Sequence, residues 1–481
     1  MRKTILSMIL IVAILFFTSC SSEKSQKASS PELLEVKTFG DLNFIEIVKG
    51  YDEILSITDV GGKPAVFAEK HKKNLIYYDG NELGREYDRI SFPIDLNGKL
   101  VFVAMKKDKS YIVYDGKQFG SEYDSVGSSM AVGNKLLFVA KKNNKEFLVF
   151  DGKELGREYD GLKLPIGIAS SSEPIVLNEE LVFVAIKNGK KVVVFGSEQV
   201  GDGYRLIRDL KIIGGKIAFI GERENKDYVV YGGNVIYESQ DKGGRYESIR
   251  DLIDVDGKPT FRTRRGGKWV VIYDGGQESK EYDDINALTA VAGKIAFIAA
   301  EGGKIGVADN GKEFVVYDGK DIGKEYDRIQ QIKSIDGKLA YMGQISDPYS
   351  YEVIYNGNKI AGPYTGIEEL RDLKGKLLFR IILSYDPWKE AVFFNGQQIG
   401  GEYETTLGGG HSPVYINGKI AFNVNEGCRK SIRDPNCKQF IVYDGKEIGK
   451  EYDLASVATN VGEKLAFIAQ KNDEIFVVIE K

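Results

Sequence analysis

Imidazole and sulfur are scarce in this chain: its 481 residues include two histidines, three cysteines, five methionines and two tryptophans. With His71 and His411 as the only imidazoles, histidine-based catalysis and histidine-ligated metal sites have little to draw on. There is no Gly-x-Ser-x-Gly elbow, phosphate loop or dinucleotide fingerprint, so neither a metal nor a cofactor is expected. An excess of one charge is missing too. Lys and Arg number 66 against 70 Asp and Glu, a formal net charge of -4, and the two signs interleave throughout. This argues against nucleic acid as a partner, which would need a basic face. One long apolar run occurs, from Ile5 to Phe17, and it falls short of the about 20 residues that a membrane-spanning helix needs.

Arg2 and Lys3 precede that run, and Phe17-Thr18-Ser19 lead from it into Cys20. A basic start, an apolar core and small residues make a secretory signal peptide, expected over residues 1–19. Thr18-Ser19-Cys20 resembles the lipobox of bacterial lipoproteins, with Phe17 standing where that pattern usually has Leu. The resemblance implies that Cys20 is lipidated and becomes the mature N-terminus, anchoring the protein in the bacterial cell envelope. By the sorting rule of Gram-negative lipoproteins, Ser21 implies the outer membrane in a host that has one. Each acyl methylene buried in lipid contributes about 0.8 kcal/mol to such an anchor. Residues 20–36 are too polar to bury a core and read as a flexible tether with a reach of roughly 20–25 Å. Loss of Arg2 and Lys3, with no acid, changes the charge from -4 to -6. Cys428 and Cys437 remain, in one short polar segment, and in an oxidising compartment a local disulfide is expected. A metal site there would need more ligands, and His411 is the only nearby candidate.

From residue 37 to 481 the sequence repeats itself. One unit reads Asp-Arg-Ile-Ser-Phe-Pro-Ile-Asp-Leu from Asp88, then Asn-Gly-Lys-Leu-Val-Phe-Val-Ala, then a lysine-rich tip, Tyr-Ile-Val-Tyr-Asp-Gly, and Gln-Phe-Gly-Ser-Glu-Tyr-Asp ending at Asp124. Asn97-Gly98 and Asp115-Gly116 are two-residue hairpin signals, so each unit predicts four short strands, A to D. Strand B aligns through Lys63, Lys99, Lys135, Lys216, Lys258, Lys294, Lys338, Lys376, Lys419 and Lys464, with Glu180 in the fourth unit, which makes eleven. Strand D aligns through a tyrosine, usually in Glu-Tyr-Asp. Tyr51 carries the D motif with no B or C strand before it, whereas the last unit supplies B and C and then ends. The two ends together complete one blade, which is how propellers protect their edges. The expected fold is all-β, a β-propeller-type array of about eleven four-stranded repeats. One large ring and two rings, such as six plus five, both stay open.

Asp336-Gly337-Lys338-Leu339-Ala340-Tyr341 resembles the TolB-type and WD-like propeller repeats of exported bacterial proteins, although the Ser-Pro that often precedes Asp-Gly is absent. The resemblance implies repeat architecture and little about function. Recurrence gives the repeated residues structural roles: tyrosine as a half-buried ring on outer strands, lysine as a solvated hairpin residue guarding an edge, and His71 as an exposed tip.

Departures from the period are more informative. From the B residue to the C-strand aromatic, the first six units take 15 residues each, as in Lys63 to Tyr78. The next four take 23, 17, 18 and 24, ending at Tyr317, Tyr355, Phe394 and Tyr443. B-to-C loops emerge on one propeller face, so these insertions should lie side by side, joined by the D-to-A segment that holds His411. Tyr349, Tyr351, Tyr385 and Trp388 fall in the insertions, with Arg429 and Arg433 in the cysteine-bounded one. Aromatic residues and arginine are what binding hot spots favour.

These features point to an envelope-anchored binding or scaffolding lipoprotein, not an enzyme, contacting protein, peptide or glycan. Propeller lipoproteins that assist outer-membrane barrel assembly offer a comparable role by analogy of fold alone. The alternatives are a polysaccharide-acting enzyme with carboxylates in the central funnel, which a carboxylate cluster without basic partners would favour, and a passive surface-layer or adhesion protein. The anchor is testable directly: the mature protein should partition into the detergent phase and Cys20→Ser should abolish this, while a variant that still fractionates with membranes would overturn the lipobox reading.

Overall fold

The structure, a computed structural model, describes residues 36–39, 42–48, 50–156, 159–163, 174–239, 248–306, 311–385, 388–404, 413–427 and 437–481. The signal segment, Cys20 and the tether up to residue 35 lie outside the described residues. No helix among the described residues is long and apolar enough to cross a membrane.

Eleven antiparallel sheets follow one another along the chain. Blade 1 comprises Glu53–Val60, Lys63–Lys70, Lys73–Tyr78 and Asn81–Leu83 as strands A to D. Every B strand begins at the residue that aligned the repeats, from Lys63–Lys70 and Lys99–Lys106 through Glu180–Lys187 to Lys464–Lys471. The reason is local. Asn97 and Gly98 adopt φ of 55° and 75°, which only a turn matching the strand twist uses, and the next residue starts the strand. The B-to-C tip Lys107-Asp108 repeats this geometry, with φ of 50° and 61°.

One ring is formed. Each pair of consecutive blades shares an apolar cluster, and an eleventh cluster joins Val461, Ala466, Ile468 and Val477 of blade 11 to Ile54, Ile57, Val66 and Ala68 of blade 1. This decides between the two arrangements that the sequence left open. Blade 11 takes strands A to C from the C-terminal end and its fourth from Leu42–Val48, with Ile45 opposite Ile479 and Glu46 opposite Val478. Val36–Phe39 adds a fifth strand outside it. Phe44 is wholly buried, its ring 5.9 Å from that of Phe467.

The repeated side chains do more than the sequence suggested. The D-strand tyrosine is half-buried, as expected, at Tyr51, Tyr87, Tyr159 and Tyr364, whereas Tyr123, Tyr204, Tyr282 and Tyr403 are buried where the chain crosses to the next blade. There Tyr123 meets Phe138 at 5.6 Å, Tyr204 meets Phe219 at 5.6 Å and Tyr282 meets Phe297 at 5.7 Å, mostly edge to face. The ring covers the fifth residue after the B-strand lysine, which is Ala or Gly in eight of the eleven blades: a Cβ at Gly221 would lie 2.4 Å from Tyr204, and one at Gly343 2.5 Å from Tyr326. The Asp after the tyrosine holds the following B-to-C turn, as Asp88 accepts from Lys107 N at 2.9 Å and Asp124 from Asn143 N at 2.8 Å.

The repeated lysine is likewise not a free edge guard. Where the C-to-D turn has an Asp it pairs with it, as Lys63 with Asp79 at 2.8 Å and Lys99 with Asp115 at 3.3 Å. Lys99, Lys216 and Lys419 also sit 5.1–5.4 Å above the aromatic residue that precedes that turn. Such exposed pairs contribute little singly.

Closure predicts a cooperative defect. Deleting residues 465–481 should lower the melting temperature of the whole ring, and Phe44→Ala should cost about 3–5 kcal/mol, the usual loss for an emptied aromatic site. A truncated protein that melts with the parent would contradict closure by the two chain ends.

Candidate functional site

The insertions of blades 8 and 9 are built differently from the expected loops. Blade 8 absorbs its extra residues by lengthening strands B and C, Lys338–Ser346 and Tyr349–Tyr355, around Asp347-Pro348, with Ser346 opposite Tyr349. In blade 9 the strands Lys376–Tyr385 and Trp388–Phe394 bring Tyr385 opposite Trp388. Tyr349, Tyr351, Tyr385 and Trp388 are therefore strand residues at the ends of taller hairpins, not loop tips. A hydrogen-bonded ladder holds them more firmly than a loop would.

Blades 8 and 9 are neighbours that share one apolar cluster, so the two hairpins stand together. Tyr349 and Tyr351 form an edge-to-face pair, ring centroids 5.5 Å apart, with their hydroxyls 2.7 Å from each other. Tyr385 and Trp388 form a second, at 5.2 Å. Tyr349 and Tyr385 are 55% and 52% exposed, whereas Tyr351 is only 9% exposed and belongs to the core. Burial, followed by the bond from Tyr349, pushes the Tyr351 phenol up to about 12. The Tyr385 phenol is also raised, first by burial and then by Tyr349 and Glu368, so the two pairs feel one another across the blade boundary.

Beneath the aromatic residues lies an ionic tier that the sequence reading missed. Trp388 Nε1 donates to Glu390 Oε1, and Arg380 lies between Glu390, 3.3 Å from Nη1, and Glu368, 2.5 Å from Nη2. Arg380 is the fourth residue after its B-strand lysine, where Ile220, Ile298 and Met342 stand in other blades, so a break in the repeat was there to be read.

His411, Arg429, Arg433 and Cys428 lie outside the described residues. Cys437, next to the blade 10 strand Lys438–Tyr443, is disulfide-bonded, but no cysteine pair is described. Among the described residues no group of three His, Cys, Asp or Glu side chains could hold a metal ion.

The innermost A strands carry a second irregularity. Each of five consecutive blades, 5 to 9, has a bulge residue at positive φ: Asp209, Asp251, Ala287, Gln331 and Glu369, at 48° to 54°. Non-glycine residues adopt this region only when their surroundings fix it. Gln331 shows how, its side-chain oxygen accepting from Leu370 N of the next blade at 2.8 Å.

No family model and no curated protein matches the sequence. Among solved structures the chain is similar to the extracellular domain of a one-component system from B. thetaiotaomicron, at 10% identity over 94% of this chain and 80% of that one, with a TM-score of 0.23. It is also similar to an acylaminoacyl peptidase of Pyrococcus horikoshii, at 13% over 71% and 58%, TM-score 0.28. A eukaryotic initiation factor matches at 10% over 72% and 98%, TM-score 0.37. These likenesses concern fold and carry no argument about activity or partner.

The raised Tyr351 phenol makes the site sensitive to alkali. A tyrosine that ionises near 12 when folded, against about 10 when unfolded, contributes stability that is intact below pH 10 and lost as pH rises through 12. The denaturation midpoint of the parent should fall across that window and that of Tyr351→Phe should fall less. An equal fall in both proteins would contradict the assignment.

Proposed function

We propose that this chain is an envelope-anchored lipoprotein that works by binding or scaffolding, through the face of the propeller where the blade 8 and 9 hairpins stand. The observation that carries the reading is the presence of two aromatic pairs, Tyr349 with Tyr351 and Tyr385 with Trp388, on adjacent rigid hairpins, with Tyr349 and Tyr385 each more than half exposed. Exposed aromatic residues on a preorganised scaffold lose little conformational freedom when a partner arrives, which is what anchors at an interface require. The partner is a protein, peptide or glycan. The lipobox-like residues before Cys20 support the anchor, and the TolB-like form of the repeats supports an exported protein. A Cys428–Cys437 bridge would stiffen the neighbouring blade 10 insertion, with Arg429 and Arg433 inside it.

The enzymatic alternative asked for carboxylates converging without basic partners. On the inner strands, Asp251 instead pairs with Arg262 at 2.6 Å. The Asp209 carboxyl is raised by burial and by its neighbour Asp251, and Lys211 and Arg208 oppose the shift. The basic neighbours of Asp251 and Asp209 differ from the isolated carboxylate cluster that the enzymatic alternative asked for.

The experiment is capture from solubilised envelope. Replacing Tyr349, Trp388 and Arg433 together by Ala should reduce partner recovery by at least about tenfold, the effect of roughly 1.4 kcal/mol. Replacing Lys72, Lys107 and Lys142, on the minimal tips of blades 1 to 3, should leave recovery unchanged. Circular dichroism checks that both variants fold. Equal capture by the parent and both variants would reject the site.

A further inference from the structure

A different break in the repeat lies on the outer side of blade 6. The fifth residue after the C-strand aromatic is apolar in nine of the ten units in which it can be aligned: Leu83, Phe119, Leu155, Val200, Ile236, Ile322, Ile360, Ile399 and Ile448. Blade 6 has Glu278 instead. In six blades this residue packs on the cluster shared with the next blade, as Ile322 does between blades 7 and 8, whereas Phe119, Ile236 and Ile360 stay exposed. Glu278 cannot plug the matching gap. Its carboxylate is held by Arg265 in a two-bond pair at 2.8 and 3.0 Å, which keeps it below the ordinary carboxylate range.

The gap between blades 6 and 7 is consequently open, a cleft of about 840 Å³. That is within the roughly 300–1,000 Å³ of small-ligand sites. Its apolar wall includes Tyr273, Tyr282, Phe297 and Val316. Five carboxylates, Asp256, Asp274, Glu278, Asp318 and Asp321, face three ammonium groups, Lys258, Lys280 and Lys294. The ammonium groups are already engaged: Lys258 with Asp274, Lys294 with Asp318 at 2.5 Å, and Lys280 with Asp321 at 3.1 Å and Glu301 at 3.3 Å. Adding Arg265, Lys324 and Glu301, which pair with lining residues from outside, still leaves the acids in excess.

The wall behind the cleft is also unlike the other blades. Two residues after the B-strand lysine, ten blades have Ala, Val or Leu and blade 6 has Thr260. Thr260 is wholly buried, and its hydroxyl has no hydrogen-bond partner among the described residues. It shares a strand face with Lys258, two residues away, one row deeper than the lining pair Lys258 and Val255. An apolar plug has been lost in front and a polar group introduced behind, at one blade boundary.

We infer that the cleft between blades 6 and 7 is a binding site for a cationic side chain, Lys or Arg, presented by an extended peptide. The surplus carboxylate, Asp256, would receive the charged head while the half-buried ring of Tyr273 receives the aliphatic stem, the division of labour that amphipathic cations favour. The site is separate from the blade 8 and 9 hairpins, and neither reading depends on the other.

The test uses the mature protein and two fluorescein-labelled hexapeptides, one alternating Gly with Arg and the other Gly with Glu, followed by anisotropy. The Arg peptide should bind at least about tenfold more tightly than the Glu peptide. Glu278→Leu, which restores the apolar residue of the other blades, should fill the cleft and weaken Arg-peptide binding by about tenfold without lowering the melting temperature. Should that variant fail to fold, Asp256→Asn combined with Asp318→Asn should weaken binding to a similar extent. Equal binding of the two peptides, preference for the Glu peptide, or undiminished binding by the folded variants would overturn the proposal.

Discussion

The pairing of Leu42–Val48 with Glu474–Glu480 is the contact on which the ring depends. Ten blades are complete within the chain's own order, and each would expose an apolar side if its neighbour were missing. Only when the two ends share a blade does every such side find a partner, including the eleventh cluster between blades 11 and 1. Each blade then keeps two edges, its inner A strand and its outermost strand. The closing strand is linked to blade 1 through Tyr51 and Asp52, which play the same parts as Tyr87-Asp88 and Tyr123-Asp124: Tyr51 packs against the shared cluster, and Asp52 accepts from His71 N at 2.6 Å.

With closure secured, each blade boundary can be tuned separately, because the backbone ladders of a blade do not depend on what its neighbours bury. Blades 1 to 5 keep the repeat closely on their B strands, with apolar residues at the second and fourth positions after the first residue. The departures are grouped. Blade 6 carries Thr260, Arg262 and Glu278, blades 8 and 9 carry the tall aromatic hairpins and Arg380, and the positive-φ bulges span blades 5 to 9. One arc of the ring thus bears the positive-φ inner strands and the tall aromatic hairpins together. Buried polar groups such as Arg262, whose guanidinium is pushed down by desolvation, oppose stability at their own boundary and are tolerated because the rest of the circle is apolar.

Much of this was legible in the residues. The lysine that aligns the units also begins strand B, because a two-residue turn leaves no other place for the strand to start. The complementary ends were visible through Tyr51. The roles of the repeated side chains were not, since they are fixed by partners far away in sequence or in another blade: Lys63 meets Asp79, and Tyr204 meets Phe219 across a blade boundary. At the candidate site, the aromatic residues could be picked out from the lengthened spacing, but their support could not. Nothing in the order of residues says that Arg380 bridges Glu368 and Glu390, or that Tyr351 turns inward while Tyr349 stays exposed.

By itself the sequence determined the all-β class, the four-strand unit, the number of units and the places where the period breaks, because turn residues and alternating apolar residues act over a few positions. Only the tertiary structure decided that eleven blades make one ring, that the insertions grow as strands, and that the loss of one apolar residue at Glu278 opens a cleft. Those outcomes depend on how the faces of different blades meet, and a one-dimensional pattern specifies each face without specifying its partner.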